Sequence, residues 1–149
     1  MWGKEKIIPQ NIFFLSTILF LVLGYMTADD TMDILMHDTY FIISKRHIYF
    51  LFSIISLLFG IIYYLFERFK KPVSVRMGNI HAISTIISLF GLPAIIVLTS
   101  TLNRYTPDTT AFTSDINSLL FIVIPPVIFG LSQILFLFAI VKALLKKKI

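Results

Sequence analysis

The chain has no cysteine, which excludes a disulfide framework, a thiolate metal site and thiol redox chemistry. Charge is scarce as well. Only 14% of the 149 residues are Asp, Glu, Lys or Arg, fewer than a water-soluble domain of this size uses to cover its surface. With three histidines and eight carboxylates in all, metal chemistry is confined to imidazole and oxygen ligands. No P-loop, GxGxxG, HExxH or CxxC pattern occurs, and there is no internal repeat or low-complexity tract.

What the chain does contain is apolar surface. Hydrophobic residues make up 57% of it, and its mean hydropathy is +0.88, so lipid is the expected solvent. The apolar residues fall into four blocks of membrane-spanning size, near 9–28, 39–66, 80–102 and 116–145. They predict one all-α membrane domain over 1–149, a four-helix bundle. The opening MWGKEKIIPQNIFFLSTILFLVLGYM has the basic head and apolar stretch of a signal peptide. Its apolar run is long enough to span and no small-x-small site follows, so it is expected to stay as the first span. Pro9 stands where a helix tolerates proline, and Pro72 follows the second block. Gly91 with Pro93, and Pro125 with Pro126, are expected to bend the third and fourth helices.

The formal charge of +5 suggests lipid headgroups rather than nucleic acid, because the basic residues flank apolar blocks. Lys4, Lys6, Arg68, Lys70, Lys71, Arg76, Lys142 and Lys146 to Lys148 fall on one side of a four-span chain. The opposite loops hold Asp29, Asp30, Asp33, Asp38, Asp108 and Asp115, with Arg104 as their only basic residue. The bias predicts that both termini lie in the cytoplasm; the expected location is a bacterial plasma membrane.

Two clusters invite a functional reading. In DILMHDTYF, the neighbours His37 and Asp38, with Asp33 upstream, supply part of a shell for a hard divalent cation; equally, Asp38 or Thr39 caps the next helix. Lys45, Arg46 and His47 interrupt an apolar run. With a helix starting near Thr39, at ~1.5 Å per residue the triplet lies on the order of 10 Å along it, at the edge of the hydrocarbon. There Lys45 is expected to snorkel outward toward Asp38, or else Lys45 and Arg46 form a cationic contact for a lipid phosphate, a haem propionate or a partner's carboxylate. His47 is a candidate axial haem ligand. His81 is expected at the interface or as a cap, and Gln133 in an interhelical hydrogen bond.

The stretch DILMHDTYFIISKRHIYFLFSIISLLFGIIYYLF closely resembles the tenth transmembrane helix and preceding loop of haem-copper oxidase subunit I, the cytochrome c oxidase catalytic subunit. There the pattern is D-x-x-x-H-D-T-Y-[FY]-V-V-A-H-F-H-Y. FLSTILFLVLGYMTADDT resembles the ninth helix, NIHAISTIISLFGLP the eleventh, LNRYTPDTTAF the propionate-binding loop of type P-R-R-Y-x-D, and SQILFLFAIVKALLKKK the last helix. The resemblance implies that His37 and Asp38 match the Mg²⁺-site pair, which in the family also takes a carboxylate from subunit II. It implies further that His47 matches a low-spin haem ligand and Arg104 the second propionate arginine.

Departures from the family pattern are as informative. Lys45 stands where the high-spin haem ligand would be, Arg46 replaces the Phe between the two histidines, and Asn103 replaces the first propionate arginine. Counterparts of the helices that carry the copper histidines, the other low-spin ligand and the cross-linked Tyr are not in this sequence. The expectation is therefore a non-catalytic accessory or scaffold subunit of a respiratory complex, with no cofactor held by the isolated chain and haem or Mg²⁺ only where a partner adds ligands. Its expected partners are membrane lipids and other integral membrane subunits or further copies of itself. Two alternatives stand beside it: a haem-carrying electron-transfer or oxidase component in which His47 pairs with another chain's ligand, and an anionic-lipid-binding module built on Lys45 and Arg46.

Overall fold

A computed structural model describes residues 8–36, 39–71, 73–105 and 116–145. Helix α1 spans Pro9–Met26, α2 Lys45–Arg68, α3 Val75–Tyr105 and α4 Ile116–Leu145, and an antiparallel hairpin of β1 (Thr31–Met36) and β2 (Thr39–Ser44) joins α1 to α2. Three of the four helices lie close to the apolar blocks read from the sequence. The second does not, and the domain is not wholly helical. Residues 39–44, expected as the first turns of a helix, form β2 instead. TYFIIS is rich in β-branched and aromatic side chains, which suit a pleated ladder better than a helix, and TMDILM supplies the paired strand from Met36↔Thr39 to Thr31↔Ser44.

Contacts between helices set their directions. Along α1 and α2, Gly60 lies against Phe13 and Phe14 while Gly24 lies against Tyr49 and Phe50, so the two run antiparallel. His81 packs on Phe136, Thr85 on Ser132 and Gly91 on Pro125, which makes α3 and α4 antiparallel too. Phe13 meets His81 and Phe20 meets Phe90, placing α1 parallel to α3. The result is an up-down-up-down bundle.

Each helix turns a face of small, polar and aromatic residues inward. Phe13, Ser16, Thr17, Phe20 and Gly24 are buried on α1, and Phe52, Ser53, Ser56, Gly60 and Tyr63 on α2. His81, Thr85 and Ser88 are buried on α3, and Ser132 and Phe136 on α4. Outward stand Leu15, Ile18, Leu51, Ile54, Leu131, Ile134 and Leu137, each more than half exposed. Such an inside-out distribution would be costly in water and is what a lipid-solvated bundle adopts, small residues letting backbones approach and hydroxyls bonding within the protein. Ser16 and Thr17 both donate to the Phe13 carbonyl, and Ser88 donates to that of Ser84. Among the described residues, Pro9–Met26, Lys45–Arg68 and Val123–Leu145 are long and apolar enough to cross a bilayer. The chain is an integral membrane protein.

Helix α2 stops before Pro72 is reached. Lys70 adopts φ 58°, its N–H donates to the Glu67 carbonyl, and the Lys71 N–H donates to that of Phe66. This is a Schellman closure with lysine where glycine is usual. It turns the chain into α3 at the cost of left-handed strain on a side-chain-bearing residue.

Candidate functional site at the hairpin and the start of helix 2

Because β2 ends at Ser44, the Lys45-Arg46-His47 triplet forms the first turn of α2 and does not lie two turns along a helix begun at Thr39. Beyond the last ladder pair, Thr31↔Ser44, the hairpin closes on Asp30 and Lys45. The Lys45 N–H donates to the Asp30 carbonyl at 3.0 Å, and Lys45 Nζ donates to Asp30 Oδ2, also at 3.0 Å. The partner of Lys45 is thus Asp30, whereas Asp38 was expected. The pair is part-exposed, at 23% for the lysine side chain and 57% for the aspartate. Arg46 and His47 are exposed.

Electrostatics make this turn an unfavourable place for cations. The amino end of a helix carries positive partial charge, and α2 has no acidic residue in its first turn. A cation at an exposed helix N-terminus costs about 0.3–1 kcal/mol, and an exposed ion pair returns about 0–1 kcal/mol. The Asp30 pair therefore offsets roughly one of the charges, and among the described residues no carboxylate pairs with Arg46. Among the described residues, stability does not account for the triplet.

Of the other candidates, His37 and Asp38 lie outside the described residues. Arg104 falls on the last turn of α3, Val75–Tyr105, and its side chain also lies outside them. Among the described residues no three His, Asp or Glu side chains gather to hold a metal ion. The described residues do not fit a haem enclosed by this chain alone: Lys45 is engaged by Asp30, and His47 is exposed.

A second polar locus escaped the sequence reading. His81, expected at an interface, is fully buried at 0% exposure, with Phe59, Phe136 and Phe13 ring centroids 4.9, 4.8 and 5.3 Å from its own. Its Nδ1 shares a 3.0 Å hydrogen bond with the Tyr63 hydroxyl. Gln133 approaches the same imidazole, yet Nε2 meets no partner in good hydrogen-bond geometry. The Gln133 amide nitrogen instead donates to the Phe129 carbonyl and to Ser132 Oγ within its own helix. The interhelical link expected of Gln133 is carried one residue away, where the Ser132 and Thr85 hydroxyls bond at 3.0 Å. The spacing of His81, Thr85 and Ser88 on one helical face is the signal that would have placed this histidine inside.

Comparison with known proteins bears on the hairpin and its flanking helices. A family model described as cytochrome c and quinol oxidase polypeptide I matches residues 7–111, which takes in α1, the hairpin, α2 and α3. No curated protein and no solved structure matches the chain. As the match covers well over half of the sequence, the chain belongs to the cytochrome c and quinol oxidase polypeptide I family.

Proposed function

We propose that this haem-copper oxidase relative is a non-catalytic accessory or scaffold subunit of a membrane complex, holding no haem or Mg²⁺ of its own. The observation that carries the proposal is Lys45: the family's ligand position holds a lysine, and that lysine closes the hairpin on Asp30 at 3.0 Å. Arg46 and His47, exposed and unfavourable for the helix they start, are the groups offered to another subunit. Extracted from native membranes in mild detergent, the chain should migrate in an assembly well above its own 17.1 kDa. The purified chain alone should show no Soret band. A monomer under every gentle extraction, or a Soret band that disappears in His47→Ala, would sink the proposal.

A shared haem is the second reading, favoured by the exposure of His47. In it, His47 would hold the haem iron together with a ligand from another chain, and the band would then appear only in the complex and be lost with His47→Ala.

The proposal includes four crossings, with α3 in the bilayer beside the other three helices and both termini in the cytoplasm. The charge bias supports it, as does the alternating direction of the helices. The absence of native cysteine makes the check simple. Single cysteines placed at Trp2 and Ile149 should both resist a membrane-impermeant maleimide added from outside, and one placed at Asp30 should react. Labelling of only one terminus would refute the arrangement.

A further inference from the structure

We infer that the end of the bundle opposite the hairpin carries a binding site for an anionic phospholipid, between the start of α3 and the end of α4. A groove of about 740 Å³ opens there, within the size range of clefts that hold an extended organic ligand. Met77, Phe138, Val141 and Leu145 form its apolar wall, with Ser74 and Lys142 as its polar lining. The wall continues onto the outer face of α4, where Phe138 is 60% exposed, Val141 51% and Leu145 76%. A chain lying in the groove is therefore in contact with the surrounding lipid along its length.

Charge selects the headgroup. Lys142 lines the groove. Lys71 reaches the same end, its Nζ donating over 3.5 Å to the Leu144 carbonyl, a long contact that leaves the ammonium available. Arg76 is exposed on the first turn of α3, next to Met77. No carboxylate neutralises the three: among the described residues the single ion pair is Lys45–Asp30, at the other end of α2. Glu67, the nearest acid in sequence, lines a separate cleft with Pro9 and Tyr63. The positive end of α3 and the negative end of α4 meet here and largely cancel, so the side-chain cations decide the sign. Cations at the rim of an apolar groove between helix ends match a lipid with an anionic phosphate and an acyl chain. The site is distinct from the Arg46-His47 surface and does not depend on the proposed accessory role.

Native mass spectrometry of the full chain in a neutral detergent tests it, with phosphatidylglycerol and phosphatidylcholine offered separately. Phosphatidylglycerol should be retained at least fivefold more tightly. Lys71→Gln with Lys142→Gln should weaken it by about tenfold or more, as two surface cations at about fivefold each would do, while Lys142→Arg with native Lys71 keeps the preference. These exposed or part-exposed positions leave the helix packing intact, which an unchanged unfolding midpoint verifies. Equal retention of the two lipids, undiminished binding by the double Gln variant, or displacement of the lipid by millimolar inorganic phosphate would overturn the inference. So would a dimer that persists at every lipid concentration, since the groove would then belong to a second copy.

Discussion

Replacing Gly78 with alanine should lower the stability of the bundle by about 1–3 kcal/mol, the usual cost of forcing extra atoms into a packed core. On helix propensity alone the change should help, by about 1 kcal/mol. Packing reverses the sign. A Cβ on Gly78 would lie 2.6 Å from Pro9 Cγ, 3.1 Å from Pro9 Cβ and 3.3 Å from Tyr63 Cε1. The first neighbour is a ring atom of a proline locked into the opening turn of α1, which has no rotamer to escape into. Relief requires α1 to move away from α3, and with it Phe13, which is fully buried beside His81. Gly130 provides the opposite case, because a Cβ there meets nothing within 4 Å. Gly130→Ala should therefore be neutral or stabilising by up to about 1 kcal/mol. Unfolding in mixed detergent micelles measures both, and Pro9→Ala should restore most of the loss in a Gly78→Ala background. If Gly78→Ala matches Gly130→Ala, the approach of α1 to α3 is not as close as described.

That contact also shows what can be read from the linear sequence. The apolar blocks located the helices, three of them as runs long enough for lipid, and Pro9 and Pro72 mark a start and a stop visible as residues, whereas the left-handed closure at Lys70 is not. The hairpin was missed for a related reason. In a chain where every segment is apolar, Thr39 to Ile43 reads as the start of the next span, and only the paired strand from Thr31 to Met36 tips it into a ladder. The inward faces were harder still. Hydropathy in a membrane protein marks the lipid side, so the core must be read from its small and polar residues, as at Ser56, Gly60 and Tyr63 or His81, Thr85 and Ser88. The candidate site was legible as residue types, but its wiring was not. Asp30 precedes Lys45 by fifteen positions, and nothing short of the strand register brings the two together.

The Tyr63–His81 pair should behave as a coupled unit, and a double-mutant cycle should show it. Tyr63→Phe keeps the ring against Phe13 and Phe136, 5.8 and 5.7 Å away between centroids, but removes the hydroxyl. His81 Nδ1 is then left buried without its partner, beside an Nε2 that has none in good geometry. An orphaned buried polar atom costs about 1–3 kcal/mol. His81→Leu strands the Tyr63 hydroxyl in turn and gives up the ring contacts with Phe59 and Phe136, so it should cost as much or more. The two together remove both ends of one hydrogen bond, leaving nothing polar to strand there, so the double variant should be less damaged than the sum of the singles by about 1–2 kcal/mol. Ring packing alone predicts a different result. The Tyr63→Phe change hardly alters shape, so on that account the single variant would be near wild type and the losses would add. Additivity would mean that the bond contributes nothing, and that the aromatic nest around His81 by itself ties α2, α3 and α4 together.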